Sequence, residues 1–491
     1  MFFVPIYKTK LLKIIALNSA CLSFSSSLIL WGVFEKSSCY FQFVTVFFWL
    51  PNLNLNFAIG LDGISLFFLV LTTLLIPLCL LTSWSNISVN LKEFLTFFLF
   101  LNFFLIATFC SLDLLFFYVF FESVLIPMFL IVGIWGSRQR KILAAYYFFV
   151  YTLLGSVIML LSILYIYYQT GTTSYELLLT FSFSYFEQKV LWLAFFTAFA
   201  SKIPMMPVHL WLPEAHVEAP TSGSVILAGV LLKLGSYGFI RFSVALFPAG
   251  SLFFVPFIYT IAAVSIIFAS FTAVRQTDFK RIIAYTSIAH MNVVIIGIFS
   301  FNTIGLEGSI LQSLSHGFVA SALFLIIGIV YDRHQTKIIT YYGGLASIMP
   351  IYCVIFLFFT IANISFPGTS NFIGEFLILT GSFKVNKIIT LLSATSIVLG
   401  SAYSLWVFNR ICFGNLKTQY MHKFVDLNIR ELLIFSPLML GTLGVGVLPE
   451  MFSRYYHVTV NNFLELLYFK KCILLTWSFF FGVETVQQCI N

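Results

Sequence analysis

Along this chain, runs of about twenty apolar residues alternate with short stretches rich in Lys, Arg, Pro, Gly and Asn, from near the N-terminus to about residue 450. A bilayer core of about 30 Å is crossed by about 20 helical residues. On that ruler the pattern predicts an all-α polytopic membrane protein. Its thirteen spans fall near 12–34, 63–84, 92–110, 112–133, 142–168, 190–212, 220–245, 251–274, 282–300, 308–331, 347–381, 388–409 and 431–449. Turn signals such as Gly136-Ser137-Arg138, Pro248-Ala249-Gly250 and Tyr342-Gly343-Gly344 separate them. Behind Lys470 and Lys471 the last apolar run has only about a dozen residues, too few to cross. Residues 465–491 are therefore expected to form an interfacial helix or a partner contact.

Charge tests the count, because cytoplasmic or matrix loops collect Lys and Arg. Taking alternate loops, sixteen basic residues fall on the face of the N-terminus, including Lys8, Lys10, Lys13, Arg138, Lys280, Lys337, Arg410 and Lys423. The opposite face holds eight, Lys36, Lys189 and Arg241 among them. One span more or fewer would flip every later loop and destroy this bias. An odd number of crossings follows, with the C-terminus opposite the N-terminus.

Composition narrows the function. Of 491 residues 60% are apolar and 9% charged, against roughly a quarter charged in soluble proteins. That leaves no room for a sizeable catalytic domain in water. The net charge of +8 is spread over many loops and forms no nucleic-acid face. The eight cysteines (21, 39, 79, 110, 353, 412, 472, 489) include no C-x-x-C pair and no Cys/His cluster. Iron–sulfur, zinc and haem readings lack ligands, so redox chemistry belongs to partners. The start is basic, but the apolar run behind it is long enough to span, which is not the mark of a cleaved targeting peptide.

Six ionisable residues lie inside spans: Glu122, Lys202, Lys233, His290, His316 and Glu375. Each costs roughly 2.5–3.5 kcal/mol at mid-membrane, so each needs a partner, water or a function. Glu122 reads either as a carboxyl kept neutral by burial or as a working group. Lys202 is followed by Pro204 and Pro207, which break the helical ladder and free carbonyls. The reading there is a discontinuous helix, against a plain kink with a snorkelling lysine. Lys233 sits among Gly223, Gly229, Gly235 and Gly238, which permit close helix approach. His290 and His316 suit proton relay, or each satisfies a local hydrogen bond. Glu375 follows a second interruption at Asn363, Pro367, Gly368 and Asn371.

The interruptions correspond. After N-terminal helices in 1–91, residues 92–245 form five spans whose fourth is broken beside Lys202. Residues 251–409 form five more whose fourth is broken before Glu375, and 410–491 hold the last span and tail. Five is odd, so the two groups run oppositely through the membrane, as inverted repeats with ion sites at broken helices. His209, Glu214, His216 and Glu218 could mimic metal ligands, but prolines prevent the helical i, i+4 presentation, and a loop anchor or water gate fits better. Gly441, Gly444 and Gly446 lie within a span and read as helix packing.

The sequence resembles the antiporter-like subunit 4 family of proton-pumping NADH:ubiquinone oxidoreductase, respiratory complex I. The resemblance is carried by FAIGLDGISLFF (57–68), LDLLFFYVFFESVLIPMF (112–129), GSRQRK (136–141), the run at 199–241, RQTDFKRIIAYTSIAHMN (275–292), LSHGFVASALF (314–324) and FPGTSNFIGEFLIL (366–379). Glu375, where the sister subunits 2 and 5 usually place lysine, separates it from them. The 213–229 run looks most like plant and algal mitochondrial forms, which implies a multi-pass protein of the mitochondrial inner membrane. The family has fourteen helices, and this chain's first span aligns with the family's second.

The resemblance implies that Glu122 and Lys202 form a coupled pair, that Lys233 is the central relay, that His290 and His316 continue it, and that Glu375 is the terminal proton-exchange carboxylate. It implies no cofactor on this chain, with NADH, FMN, iron–sulfur clusters and ubiquinone in partner subunits. The implied neighbours are antiporter-like subunits 2 and 5, supernumerary subunits and lipids such as cardiolipin, with no nucleic acid. A cation/proton antiporter subunit of the multisubunit sodium-exchange type is the alternative on the same scaffold. A structural spacer would not need six buried ionisable groups.

Overall fold

The computed structural model describes residues 4–420 and 425–480; Lys423, Cys489 and the tail beyond 480 lie outside the described residues, as do the side chains of 468–480. In chain order the principal elements are α1 (Thr9–Val33), a hairpin of β1 (Gln42–Leu50) and β2 (Leu55–Leu61), α2 (Gly63–Thr82), α3 (Leu91–Cys110), α4 (Leu114–Trp135), α5 (Lys141–Thr170), α6 (Tyr185–Lys202), α7 (Trp211–Glu218) and α8 (Thr221–Val244). Then follow α9 (Val255–Arg275), α10 (Phe279–Ile298), α11 (Thr303–His334), α12 (Pro350–Asn363), α13 (Ser370–Val385), α14 (Lys387–Cys412), α15 (Ile429–Val447) and α16 (Glu450–Phe480). Eleven helices among the described residues are long and apolar enough to cross a bilayer. The remaining two crossings read from the sequence are each split into two shorter helices, α6 with α7 and α12 with α13.

The helices α3 to α8 and α9 to α14 are built alike. In each set the third helix, α5 or α11, packs along both halves of the split fourth. The central helices α8, α10 and α11 are buried almost throughout, whereas α1 and α14 present much of their surface outward. Small residues set the closest approach in the second set. A Cβ at Gly374 would stand 2.7 Å from Gln312 Cα, and one at Gly381 would stand 2.7 Å from Gly305 Cα. Glycine therefore lets α13 lie against α11 at backbone distance, which carries Glu375 to Gln312.

The two breaks differ. After Lys202, the Ser201 carbonyl accepts from the Trp211 indole at 2.8 Å, and Met206 N–H donates to the Ser265 hydroxyl at 2.9 Å. Carbonyls and amides released by the prolines are thus partly claimed by side chains. At the second break, Ser365 (φ +64°) and Gly368 (φ +91°) turn the chain. There the Ser365 and Ser370 hydroxyls and both polar atoms of the Asn371 amide are buried without protein partners.

Two elements depart from the hydropathy reading. The hairpin pairs Thr45 with Ile59 and Phe47 with Phe57. Its strands are as apolar as a helix but shorter, rich in Val and aromatics, and closed by a Pro51–Asn54 turn in which Asn54 takes φ +51°. It is fastened to the α3–α4 loop by Leu112 N–H donating to Ala58 O at 2.9 Å. The terminal helix begins at Glu450 rather than near 465. Just after Pro449 it buries a stripe of Tyr456, Val460, Phe463, Leu464 and Leu467 against α2, α11 and neighbouring segments, while Glu450, Arg454 and His457 face outward.

Arg241, read from the sequence as a loop charge, is buried near the end of α8. It forms an ion pair with Asp62 at 2.5 Å, and its guanidinium lies 5.1 to 5.5 Å from the ring centres of Phe41, Tyr175 and Tyr237. Asp62 also caps α2, accepting from Ser65 N–H at 3.0 Å while its own N–H donates to Ser65 Oγ. One carboxylate therefore ties the start of α2 to the end of α8. Asp62→Asn leaves a buried guanidinium without a counter-charge and is expected to cost roughly 3–5 kcal/mol. The measurement is the thermal midpoint of the membrane-extracted protein, and a midpoint equal to wild type would show that the aromatic faces alone hold Arg241.

Candidate functional site: a buried row of ionisable groups

Lys233 is fully buried on α8, between two π-helical stretches, Leu227–Leu231 and Phe239–Val244. Such local widening of a helix is frequent at functional positions. Its Nζ donates to Ala228 O at 2.5 Å and lies 2.8 Å from His316 Nδ1 on α11. When the ammonium donates there, that ring nitrogen accepts, and the imidazole proton sits on Nε2. The His316 ring lies 5.8 Å, centre to centre, from that of His290 on α10. His290 Nδ1 in turn contacts Glu375 Oε1 on α13 at 2.7 Å. The same carboxylate oxygen accepts from Gln312 Nε2 at 3.1 Å.

Four of the six expected residues thus form one line across α8, α11, α10 and α13, with a single gap between the imidazoles. Both histidines leave Nε2 buried and without a protein partner. Buried polar atoms of this kind are ordinarily satisfied by water.

The remaining two stand closer to the first break. Lys202 ends α6, buried, with Nζ 4.4 Å from the centre of the Phe121 ring and no hydrogen-bond partner. Glu122, one residue from that phenylalanine, is half-buried beside Ser156, with Oε1 unpartnered. The two charges act on each other through space, yet no direct ion pair joins them. The coupled pair expected from the sequence is present as neighbours and not as a closed contact. The Phe121 ring offers its face to the ammonium.

A second group of polar residues reaches Lys233 from the face that carries the N-terminus. His216 is fully buried, stacked on Phe324 at 4.5 Å with 8° between the planes, and both its nitrogens lack protein partners. It interacts electrostatically with both Lys233 and Lys280. Lys280 Nζ donates to Ala219 O at 2.7 Å and to Ser224 Oγ at 3.3 Å. Lys280 opens onto a cavity of about 340 Å³ whose walls include Ser137, Asp332 and Lys337. On its wall the buried Lys337 donates to Val217 O at 2.5 Å and to the Ser137 hydroxyl. Burial pushes Lys337 down to about 8, with Glu218 pulling the other way.

Lys280 and Lys337, loop cations by the sequence pattern, are both buried. The α10 helix begins at Phe279, not near 282, and so takes Lys280 inside. Gln312 carried no signal, being a neutral amide. The four residues weighed as metal ligands go separate ways: Glu214 pairs with Arg281, His209 packs edge-on with Phe268, His216 stacks on Phe324, and Glu218 faces Lys280 and Lys337. Among the described residues no group of three or more His, Cys, Asp or Glu converges as for a metal ion.

This geometry can be set beside known proteins. The sequence model of the family described as NADH:quinone oxidoreductase/Mrp antiporter, TM, matches residues 111–400. NADH-ubiquinone oxidoreductase chain 4 of Arabidopsis thaliana is 57% identical over 465 residues, covering 95% of this chain and 94% of that protein. A chain of respiratory complex I from Thermus thermophilus with bound NADH superposes with a TM-score of 0.86 at 31% identity, over 94% of this chain and 98% of that one. The Mrp complex from Dietzia sp. DQ12-45-1b gives 0.84 at 18% identity, over 95% of each chain, which shows a shared fold. With the family's core matched from the α3–α4 loop to α14 and a plant relative aligned nearly end to end, the chain belongs to the NADH:quinone oxidoreductase/Mrp antiporter membrane family, in its chain 4 group.

Proposed function

We propose that this chain is a proton-translocating membrane-arm subunit of NADH:ubiquinone oxidoreductase, and that its buried row carries the proton. The observation that supports this most is the line Lys233, His316, His290, Glu375, held by contacts of 2.8 and 2.7 Å around one imidazole gap. In this reading a proton leaves the Lys233 ammonium for His316 Nδ1, and the proton on His316 Nε2 passes on through water. A proton arriving at His290 Nε2 releases the one on Nδ1 to Glu375. Each ring takes one proton and gives up one, so neither changes net charge after a complete pass.

Intake follows the cavity at Lys337 and Lys280 and then His216. Glu122 and Lys202 serve as the control. An ammonium beside a carboxylate keeps its proton in a low-dielectric site and yields it more readily when the two part. Quinone reduction elsewhere in the assembly would set that separation. NADH, FMN, iron–sulfur clusters and ubiquinone belong, in this reading, to partner subunits, and the chain sits in the mitochondrial inner membrane beside antiporter-like subunits 2 and 5. Supernumerary subunits and lipids such as cardiolipin complete its surroundings. The sodium-exchange alternative rests on shared fold alone.

Three outcomes test this in the reconstituted complex. Glu375→Gln is expected to slow proton release through this chain by roughly 10²-fold, read as a lower proton-to-electron ratio with a pH-sensitive dye; an unchanged ratio removes Glu375 from the path. Glu122→Gln is expected to depress quinone reductase activity and pumping together, by roughly tenfold for each pKa unit of lost coupling. Wild-type pumping in the assembled variant would refute the control role. Burial holds Lys337 down to about 8, so it loses its charge as pH rises through that range. Proton uptake is therefore expected to show an alkaline limb centred near pH 8 that Lys337→Gln flattens, and the same limb in both proteins would place intake elsewhere.

A further inference from the structure

A second cavity, of about 300 Å³, opens at the end of α14 and has no part in the proton row. Its walls include Trp406, Asn409, Arg410, Asn415 and Lys417. Its charge is one-sided. Neither Arg410 nor Lys417 joins an ion pair among the described residues, and the chain contains no Asp or Glu between Glu375 and Asp426. Asp426 itself is engaged at the start of α12, accepting from the N–H groups of Ile351 and Tyr352 at 2.9 and 3.2 Å.

The floor is backbone at close quarters. Gly344 N–H donates to Phe413 O at 3.0 Å, and a Cβ on Gly343 would stand 2.8 Å from Asn415 O. Lys417 spends one donor on Thr340 O at 2.5 Å and makes no other hydrogen bond among the described residues, while the Arg410 side chain is exposed. Below the cavity, Leu391, Val398 and Leu405 repeat every seven residues along the outward face of α14, 71%, 69% and 49% exposed. Trp406 stands where that apolar stripe meets the cations, the usual level of an interfacial aromatic.

We infer that this cavity binds the phosphate headgroup of an anionic phospholipid from the leaflet on the N-terminal face, with its acyl chains laid along the α14 stripe. Guanidinium offers a bidentate fork to a phosphodiester and ammonium a point charge. An acidic protein segment would satisfy the cations but would leave the adjoining stripe unexplained, whereas a phospholipid matches both chemistries in the order found. The inference takes from the proposed function only that the chain lies in a bilayer and assembles into the complex.

The test places the intact complex in nanodiscs of phosphatidylcholine doped with photoactivatable phosphatidylglycerol, diphosphatidylglycerol or phosphatidylcholine, and reads label on peptides spanning 403–418 by mass spectrometry. The anionic probes are expected to label wild type well above the choline probe. Arg410→Gln and Lys417→Gln should each lower that label by roughly fivefold, and R410K/K417R should retain it. Equal labelling by the choline probe, indifference to both substitutions, or carbodiimide coupling of Lys417 to a partner carboxylate would overturn the inference. Should either Gln variant fail to assemble, raising salt on wild type must weaken the anionic label, and salt-independent labelling counts against the site. A complex that keeps its label in Glu375→Gln while losing proton release separates this site from the proton row.

Discussion

A charge surrounded by hydrocarbon must be paired, hydrated or relocated, and the interior of this protein is arranged around that requirement. Lys233 meets it with a carbonyl and an imidazole, Glu375 with an imidazole and an amide, and Arg241 with a carboxylate inside an aromatic ring set. The first two solutions leave transferable protons between nitrogen and oxygen atoms at hydrogen-bond distance. The third does not, because a guanidinium does not give up its proton. The same cost of burial therefore yields, on the proposed function, a proton-carrying row in one place and a structural clamp in another, and the chemistry of the cation decides which.

The broken helices make that row possible. An uninterrupted helix spends its backbone polar groups on itself, so a side chain within it finds few other donors or acceptors. At the first break the freed groups are taken up by Trp211 and Ser265, which fixes the end of α6 and with it Lys202. At the second, Ser365, Ser370 and Asn371 remain without protein partners, and Asn371 lies one turn before Glu375 on α13. The repeats share a backbone plan yet differ at the break: Trp211 and Ser265 claim backbone groups at the first, whereas in the half that ends at a carboxylate two hydroxyls and an amide at the break have no protein partner.

Most of the helical plan was legible because hydrocarbon imposes a length and a composition on every crossing, and prolines mark the two exceptions. The six intramembrane ionisable residues stood out for the same reason: Lys233 in GSVILAGVLLKLGSYGF has no polar neighbourhood to hide it. Lys280 and Lys337 were not legible as buried groups, because RQTDFKR and DRHQTK read as loops whichever way their side chains turn. Burial there depends on tertiary contacts with Ala219 and Val217, more than a hundred residues away from Lys337 in the second case. The hairpin was hidden by composition, since Phe43 to Leu50 is as apolar as any helix and only its brevity and branched residues argue for strand.

The distribution of contacts along the row also argues for where control lies. From Lys233 to Glu375 the groups are in hydrogen-bond contact except between the two imidazoles, so on the proposed function water is needed at a single step. Between Glu122 and Lys202 contact is absent, and the ammonium rests on the Phe121 ring, a neighbour that attracts it but cannot take its proton. On the proposed function that lysine has two partners to choose between, the Phe121 ring and the Glu122 carboxylate, at the end of a helix already broken by proline. On that proposal an external event that favours one partner over the other changes the charge presented to the rest of the row. On the proposed function, switching belongs where the structure leaves a choice of partner, and conduction where it leaves none.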